Sequence, residues 1–187
     1  DGSSLLMTMM YSMHQSGFWN LERQTNLLDG AAHFYDTYEC MDGKYISIGS
    51  IEPQFYSLLC EIAELSEEDF GDQMKRDTWA DKKKHIKEVF LAKTRDDWCS
   101  LMEGTDVCFA PVLDMSEAPN HPHNVARQTF IELEGVTQPA PAPRFDRTEN
   151  EIQLPPAIAG EHTKEILESL GMNQEEVDNL LASGSVV

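Results

Sequence analysis

The chain is short of positive charge. It carries 14 Lys and Arg against 33 Asp and Glu in 187 residues, a formal net charge of −19. Nucleic acids and anionic membrane surfaces both need a positive field, so neither is expected as a partner. Surface solubility, or a salt-rich habitat, accounts for such a balance as readily as any function does. Paired cysteines are missing too. Cys40, Cys60, Cys99 and Cys108 lie far apart with no CxxC spacing, which fits reduced thiols in a cytoplasmic protein better than a disulfide framework or a zinc site. His121 and His123 are the only close histidine pair, and no cysteine lies near them. No metal is expected. No apolar run reaches the length of about 18 residues that a transmembrane helix needs. No basic, signal-like opening is visible, and the final Ser183 to Val187 stretch does not match a peroxisomal Ser-Lys-Leu ending.

What is present is enough apolar residue for one core, 41% of the chain, in a length suited to one domain of ordinary size or a small domain with flanking pieces. Asp42-Gly43 lies between two runs rich in Tyr, Ile and Thr, a strong hairpin signal that predicts strands over 35–40 and 44–49 joined by a two-residue type I′ turn. Gly49-Ser50-Ile51-Glu52-Pro53 follows. Proline suits a first helical turn, so a carboxylate is expected at a strand-to-helix junction. Phe55, Leu58, Leu59, Ile62 and Leu65 share one face of a helix over 52–65.

Elsewhere the pattern predicts a helix over 3–19, capped by Ser3 and Ser4. It is apolar nearly all round at its start and is expected to be buried or to face something greasy. Segment 20–34 reads as irregular. An acidic connector, Ser66 to Thr78, holds one short helical turn. Helices follow over 79–92 and, capped by Thr94, over 95–103. Val107 to Val112 reads as a strand, Ser116 as the start of a helical turn, and 121–130 as a helix leading to a strand. The proline-rich stretch Gln138 to Arg144 has fixed φ and a missing backbone donor at each proline, so it reads as extended linker rather than ladder strand, continuing to about Pro156. Helices over 163–170 and 174–182 close the chain, and they have too little apolar surface to fold alone. The fold class expected is α+β. Three segments are expected: 1–34, a compact unit over 35–135, and 136–187.

Met7, Met9, Met10 and Met13 form a methionine-rich stretch. Methionine is flexible and polarizable and suits a surface that must accept several shapes, although it also serves as plain core filler. Glu52 at a helix start has an ordinary explanation in the helix macrodipole. Asp106 reads as a turn or cap residue, His121 and His123 as shaping a turn around Pro122, and nothing argues for Cys108 as a nucleophile.

The stretch Asn26 to Tyr56, above all Ile51 to Tyr56 (Ile-Glu-Pro-Gln-Phe-Tyr), resembles the α-methylacyl-CoA racemases of the family III CoA-transferase superfamily. The resemblance extends in order through Asp97-Trp98-Cys99, Thr105 to Leu113, Pro141 to Phe145 and Gly160-Glu161-His162-Thr163, covering nearly the whole chain. It implies the small-domain fold of that superfamily, flanked by pieces of a large α/β domain, in a homodimer whose subunits interlock. It implies proton exchange at the carbon α to an acyl-CoA thioester, with no cofactor beyond the coenzyme A of the substrate. That chemistry needs a base on each face of a weak carbon acid and support for the enolate oxygen. In the family a His with a supporting Glu serves one face and an Asp the other. Glu52 stands at the supporting Glu; Asp1 aligns near the middle of the family's chain, so the His, the Asp and most coenzyme A contacts are expected upstream. His33 falls in the matched region as an ordinary loop residue. The methionines 7, 9, 10 and 13 would border the acyl chain. Two other readings remain open: a CoA-transferase fragment of the same superfamily, in which an upstream Asp is the nucleophile, and a non-catalytic dimerising module.

Overall fold

The computed structural model describes all 187 residues. They divide into two compact units, Asp1–Asp114 and Met115–Val187. The division falls inside the expected 35–135 segment. The sheet of the first unit is complete at Val112, and the residues that follow build a hairpin of their own.

The first unit rests on a three-stranded antiparallel sheet ordered β1 (Tyr35–Glu39), β2 (Tyr45–Gly49), β3 (Phe109–Val112). Tyr38 pairs with Ile46 and Asp36 with Ile48, so period-2 alternation sends Tyr38, Ile46 and Ile48 into the core. The hairpin is where the sequence put it, but its turn differs. Gly43 N–H donates to the Cys40 carbonyl (3.0 Å) and Cys40 N–H to the Lys44 carbonyl (2.8 Å). Only Gly43 is left-handed, at φ 73°. The loop is therefore the three-residue kind that ends in a left-handed glycine, not a two-residue type I′ turn. Asp42 is thereby released from the left-handed conformation, and its carboxylate accepts from Arg95 N–H (3.3 Å). Strand β3 starts at Phe109 rather than Val107, because Cys108 adopts φ 56° and breaks the extended run.

Helices α3 (Pro53–Ile62), α4 (Glu67–Phe70), α5 (Trp79–Phe90) and α6 (Arg95–Met102) complete the unit around an aromatic core. Trp79 packs edge-on to Phe34, and Phe90 touches both Tyr38 and Trp98 at 5.1 Å between ring centres. The two buried indoles are satisfied by the carbonyls of Gln73 (2.7 Å) and Phe90 (3.0 Å), as burial of their N–H groups requires. Thr94 caps α6 as expected, in a reciprocal box with Asp97.

The single helix expected over 3–19 is two: α1 (Gly2–Leu6) and α2 (Thr8–Gln15), broken at Met7. The Thr8 hydroxyl bonds the Leu5 carbonyl at 2.6 Å, a local bond that competes with continuous helix. Neither helix buries a residue. Leu6 is 86% exposed and Met9 62%, so the core of the first unit does not cover this run.

The second unit contains α7 (Pro122–Ala126), the hairpin β4 (Phe130–Leu133) and β5 (Val136–Pro139), then α8 (Thr163–Ser169) and α9 (Gln174–Ala182). Gln138 and Pro139, read as linker, belong to a ladder, opposite Ile131 and Phe130. Proline is admissible because a two-stranded ribbon has only edge strands. Helix α8 ends at Gly171 (φ 91°), with Met172 N–H on the Leu167 carbonyl and Gly171 N–H on the Glu168 carbonyl, the Schellman arrangement.

Candidate functional site

The site is built where β2 runs into α3. Ser50 is fully buried at the exit of the strand. Its N–H donates to the Phe34 carbonyl at 3.0 Å and its hydroxyl to the Val107 carbonyl. That ties β2 both to the residues entering β1 and to those entering β3. Pro53 then fixes the first helical position. Between them Glu52 occupies the N-cap position with extended backbone, φ −70° and ψ 142°. Its carbonyl receives Phe55 N–H (3.1 Å) and Tyr56 N–H (3.0 Å). Its carboxylate receives no bond from the first turn. At α4, α6 and α9 the capping side chain, Ser66, Thr94 or Asn173, accepts such a bond. Glu52 is thus exposed and makes no side-chain capping bond to the helix it precedes.

Beside it stands Cys108. Partial desolvation pushes its thiol above the ordinary range, and the carboxylates of Glu52 and Asp106 push it further. A thiol held protonated is a poor nucleophile. Cys108 also lines a cleft of about 630 Å³ that includes Tyr35, Gly49, Asp36, Asp29 and Gly30. Tyr35 lies over Gly49, where an added Cβ would touch its ring at 3.5 Å. The wall formed by residues 24–30 is rigidly built. Asn26 is 1% exposed; both Asp29 oxygens hold it, at 2.8 Å on its N–H and 2.7 Å on its side-chain amide. Desolvation raises the Asp29 carboxyl, but hydrogen bonds from Asn26, Thr25 and Gln24 outweigh it and leave the group below its usual range. From α5, Lys83 reaches both the Gly30 carbonyl and the Asp36 carboxylate, fastening wall to strand.

His33 is no loop residue of the ordinary kind. It is fully buried, 5.0 Å from the Phe34 ring and 5.7 Å from that of Phe70. Tyr56 donates its hydroxyl proton to the Phe70 carbonyl (2.9 Å), so the 2.7 Å contact to His33 requires Nε2 to carry the hydrogen. Nδ1 is buried without a partner. Desolvation, with the Lys82 charge behind it, pushes this imidazole down to about 3. It is a neutral packing group and cannot shuttle protons near pH 7. His121 accepts from His123 N–H at 3.3 Å and starts α7, the turn-shaping part expected of it. No group of three or more His, Cys, Asp and Glu side chains could hold a metal ion.

Met7 and Met9 are exposed and Met10 and Met13 half-buried; none lines the cleft. Sequence reasoning singled out Glu52 and dismissed Cys108 as a nucleophile, but it did not bring Tyr35, Cys108 and the 24–30 wall together in a cleft. The left-handed backbone of Cys108 left no mark in the sequence.

A model of the family described as CoA-transferase family III matches residues 2–163. The α-methylacyl-CoA racemase of Mus musculus is 39% identical over 180 residues, spanning 95% of this chain and 47% of that protein. The Homo sapiens protein of the same name is 39% identical over 183 residues, 96% of this chain and 48% of that one. The crystal structure of Rv3272 from Mycobacterium tuberculosis superposes with a TM-score of 0.60 at 18% identity, covering 84% of this chain and 41% of that one. That last likeness speaks for the fold. The chain spans about half the length of the curated relatives it matches.

Proposed function

The chain belongs to CoA-transferase family III, and from that premise we propose that it forms part of an enzyme moving a proton at C2 of a 2-methylacyl-CoA thioester. Support comes first from 39% identity to α-methylacyl-CoA racemases across 95% of the chain. The observation in the structure that carries the reading is the Glu52 carboxylate, which is exposed, makes no capping bond to its own helix, and acts electrostatically on Cys108, a residue of the cleft that Glu52 itself does not line. In this reading Glu52 does not touch the substrate. It orients an imidazole supplied by the remainder of the protein and stabilises its charged form, while an aspartate there serves the opposite face. Proton removal from one face and return to the other inverts C2. Coenzyme A enters as part of the substrate, and the step requires neither redox change nor metal.

The remaining proposals follow from the same premise. Residues 1–34 and 136–187 belong with a larger domain, and the exposed Leu5, Leu6 and Met9 meet it, with the methionines 7, 9, 10 and 13 along the acyl chain. The working form is an interlocked homodimer. All four cysteines are free, which suits the reducing cytoplasm. No helix is long and apolar enough to cross a membrane.

The test is deuterium exchange at C2 of a 2-methylacyl-CoA in heavy water, on the longer protein containing this chain and on the chain alone. Exchange is expected from the longer protein only. Glu52→Gln in that protein should lower kcat at least about tenfold, a smaller loss than the roughly 10²–10⁴-fold of removing a proton-transferring group itself, with KM little changed. Exchange by the isolated chain would overturn the division of labour. Absence of exchange from both, with acyl transfer between free acids instead, would favour the transferase reading that the family's description also admits. Absence of both activities would leave an association module.

A further inference from the structure

The acidic connector between α3 and α5 holds one buried side chain with an unusual task. Gln73 is 8% exposed. Its side-chain Nε2 donates to the Ser50 carbonyl at 2.9 Å and to the Ile51 carbonyl at 2.9 Å. These are the two carbonyls immediately before Glu52. Both partners only accept, so the amide nitrogen, not its oxygen, must face them. Gln73 is itself fixed. Its carbonyl receives the indole N–H of the buried Trp79 at 2.7 Å. The chain entering Glu52 is therefore held from two directions: by Ser50 bonding the Phe34 and Val107 carbonyls, and by Gln73 bonding the Ser50 and Ile51 carbonyls. A carboxylate on an exposed turn has no such precision unless its backbone is pinned, and an ångström of misplacement of a catalytic group costs on the order of a hundredfold in rate.

We propose that Gln73 is a positioning residue for Glu52, clamping the Ser50-Ile51 turn so that the carboxylate meets its imidazole partner in one orientation. The proposal rests on the function proposed above. Its chemistry is simple: two N–H groups on one amide, two successive carbonyls, and the Glu52 side chain on the next residue. No other side chain type of that size offers two donors from a neutral head. The cost of losing it is twofold, since the buried Ser50 carbonyl and the half-buried Ile51 carbonyl would both lose that partner.

The test uses Gln73→Met, which keeps volume and removes both donors, and Gln73→Glu, whose carboxylate repels the carbonyls when ionised but can donate one bond when protonated. In the longer protein, kcat for C2 exchange should fall 10- to 50-fold in Gln73→Met, with KM within twofold of wild type and a displaced pH profile. For Gln73→Glu, the ratio of its rate to wild type should rise at least fivefold between pH 8 and pH 5. A residue that merely supports the fold would change the amount of active protein and leave the profile superimposable on wild type. That result, or a kcat within twofold of wild type, overturns the proposal. If the wild-type protein exchanges no C2 proton, the proposed function fails, and the clamp is then judged on the 187-residue chain. Gln73→Met should speed hydrogen exchange at Phe55 and Tyr56, whose amides bond Glu52, at least tenfold, while Trp98 keeps its protection. Unchanged protection, or equal loss at all three sites, overturns the clamp.

Discussion

The two units of this chain both carry helices and an antiparallel ladder, and they have very different interiors. Of eighteen buried apolar residues, seventeen lie in the first unit and one, Val177, in the second. The first unit is held by an aromatic cluster under a sheet. The second is held by backbone chemistry: a hairpin, a Schellman ending and the Asn173–Glu176 capping box. Caps and turns contribute about 1 kcal/mol each, whereas ordering a residue costs roughly as much. A segment built that way folds as drawn only when its apolar side chains, such as Leu154, Ile158 and Leu170, find cover. The lesson concerns what each unit can do alone. The first can hold a carboxylate in place; the second must borrow stability.

The largest effect that would break this contrast is a matched pair of truncations. Phe90 is fully buried and touches two aromatic rings. Phe90→Ala should destabilise the first unit by about 3–5 kcal/mol. Ile131 is half-buried in β4, and Ile131→Ala should cost about 1 kcal/mol. Hydrogen exchange read at the strand amides of each hairpin separates the two. Equal losses would mean that the second unit has a core of its own.

Acid should sharpen the same contrast. His33 titrates near 6.5 in the unfolded chain but is held down to about 3 in the fold by desolvation and the Lys82 charge. Below 6.5 the unfolded state binds a proton that the folded state refuses, so stability falls as pH drops and continues to fall until about 3. Between pH 7 and pH 5 the loss should be about 2 kcal/mol. His33→Phe, with no proton to bind, should flatten that part of the denaturant-unfolding profile. A slope unchanged in the variant would assign the acid sensitivity to other groups.

How far the sequence disclosed this arrangement depends on the range of the interaction. Glu52, Pro53 and the α3 stripe were readable because a cap position, a proline and an i, i+3, i+4 repeat are local. The first hairpin was readable for the same reason; the second was not. The positions of His33 and Gln73 were not. The first is buried by rings from three separate segments, and the second earns its place from carbonyls more than twenty residues away. The run from Leu5 to Met13 announced that it wants apolar cover, but a pattern cannot say whether the same chain provides it. Pro139 misled because proline is barred from central strands only, and nothing local distinguishes an edge.

The smallest effect concerns the two turns, and it tests the reading of the hairpins directly. The type I′ turn expected at Asp42-Gly43 is found instead at Glu134-Gly135. There Leu133 pairs with Val136, and both loop residues are left-handed, at φ 51° and 79°. A glutamate in that conformation is strained, whereas asparagine adopts it readily and is preferred at the first position of such turns. Glu134→Asn should therefore stabilise the second hairpin by about 0.5 kcal/mol. At Asp42 the same substitution meets a residue that is not left-handed and whose carboxylate already receives Arg95 N–H and Lys44 N–H. Asp42→Asn should be neutral or slightly destabilising, by no more than about 0.5 kcal/mol. Amide exchange within each ladder resolves changes of this size. A gain at position 42 matching that at 134 would mean that the first hairpin samples the two-residue turn after all, with its register free to slip, and the junction that presents Glu52 would then be far less fixed than the hydrogen bonds around Ser50 imply.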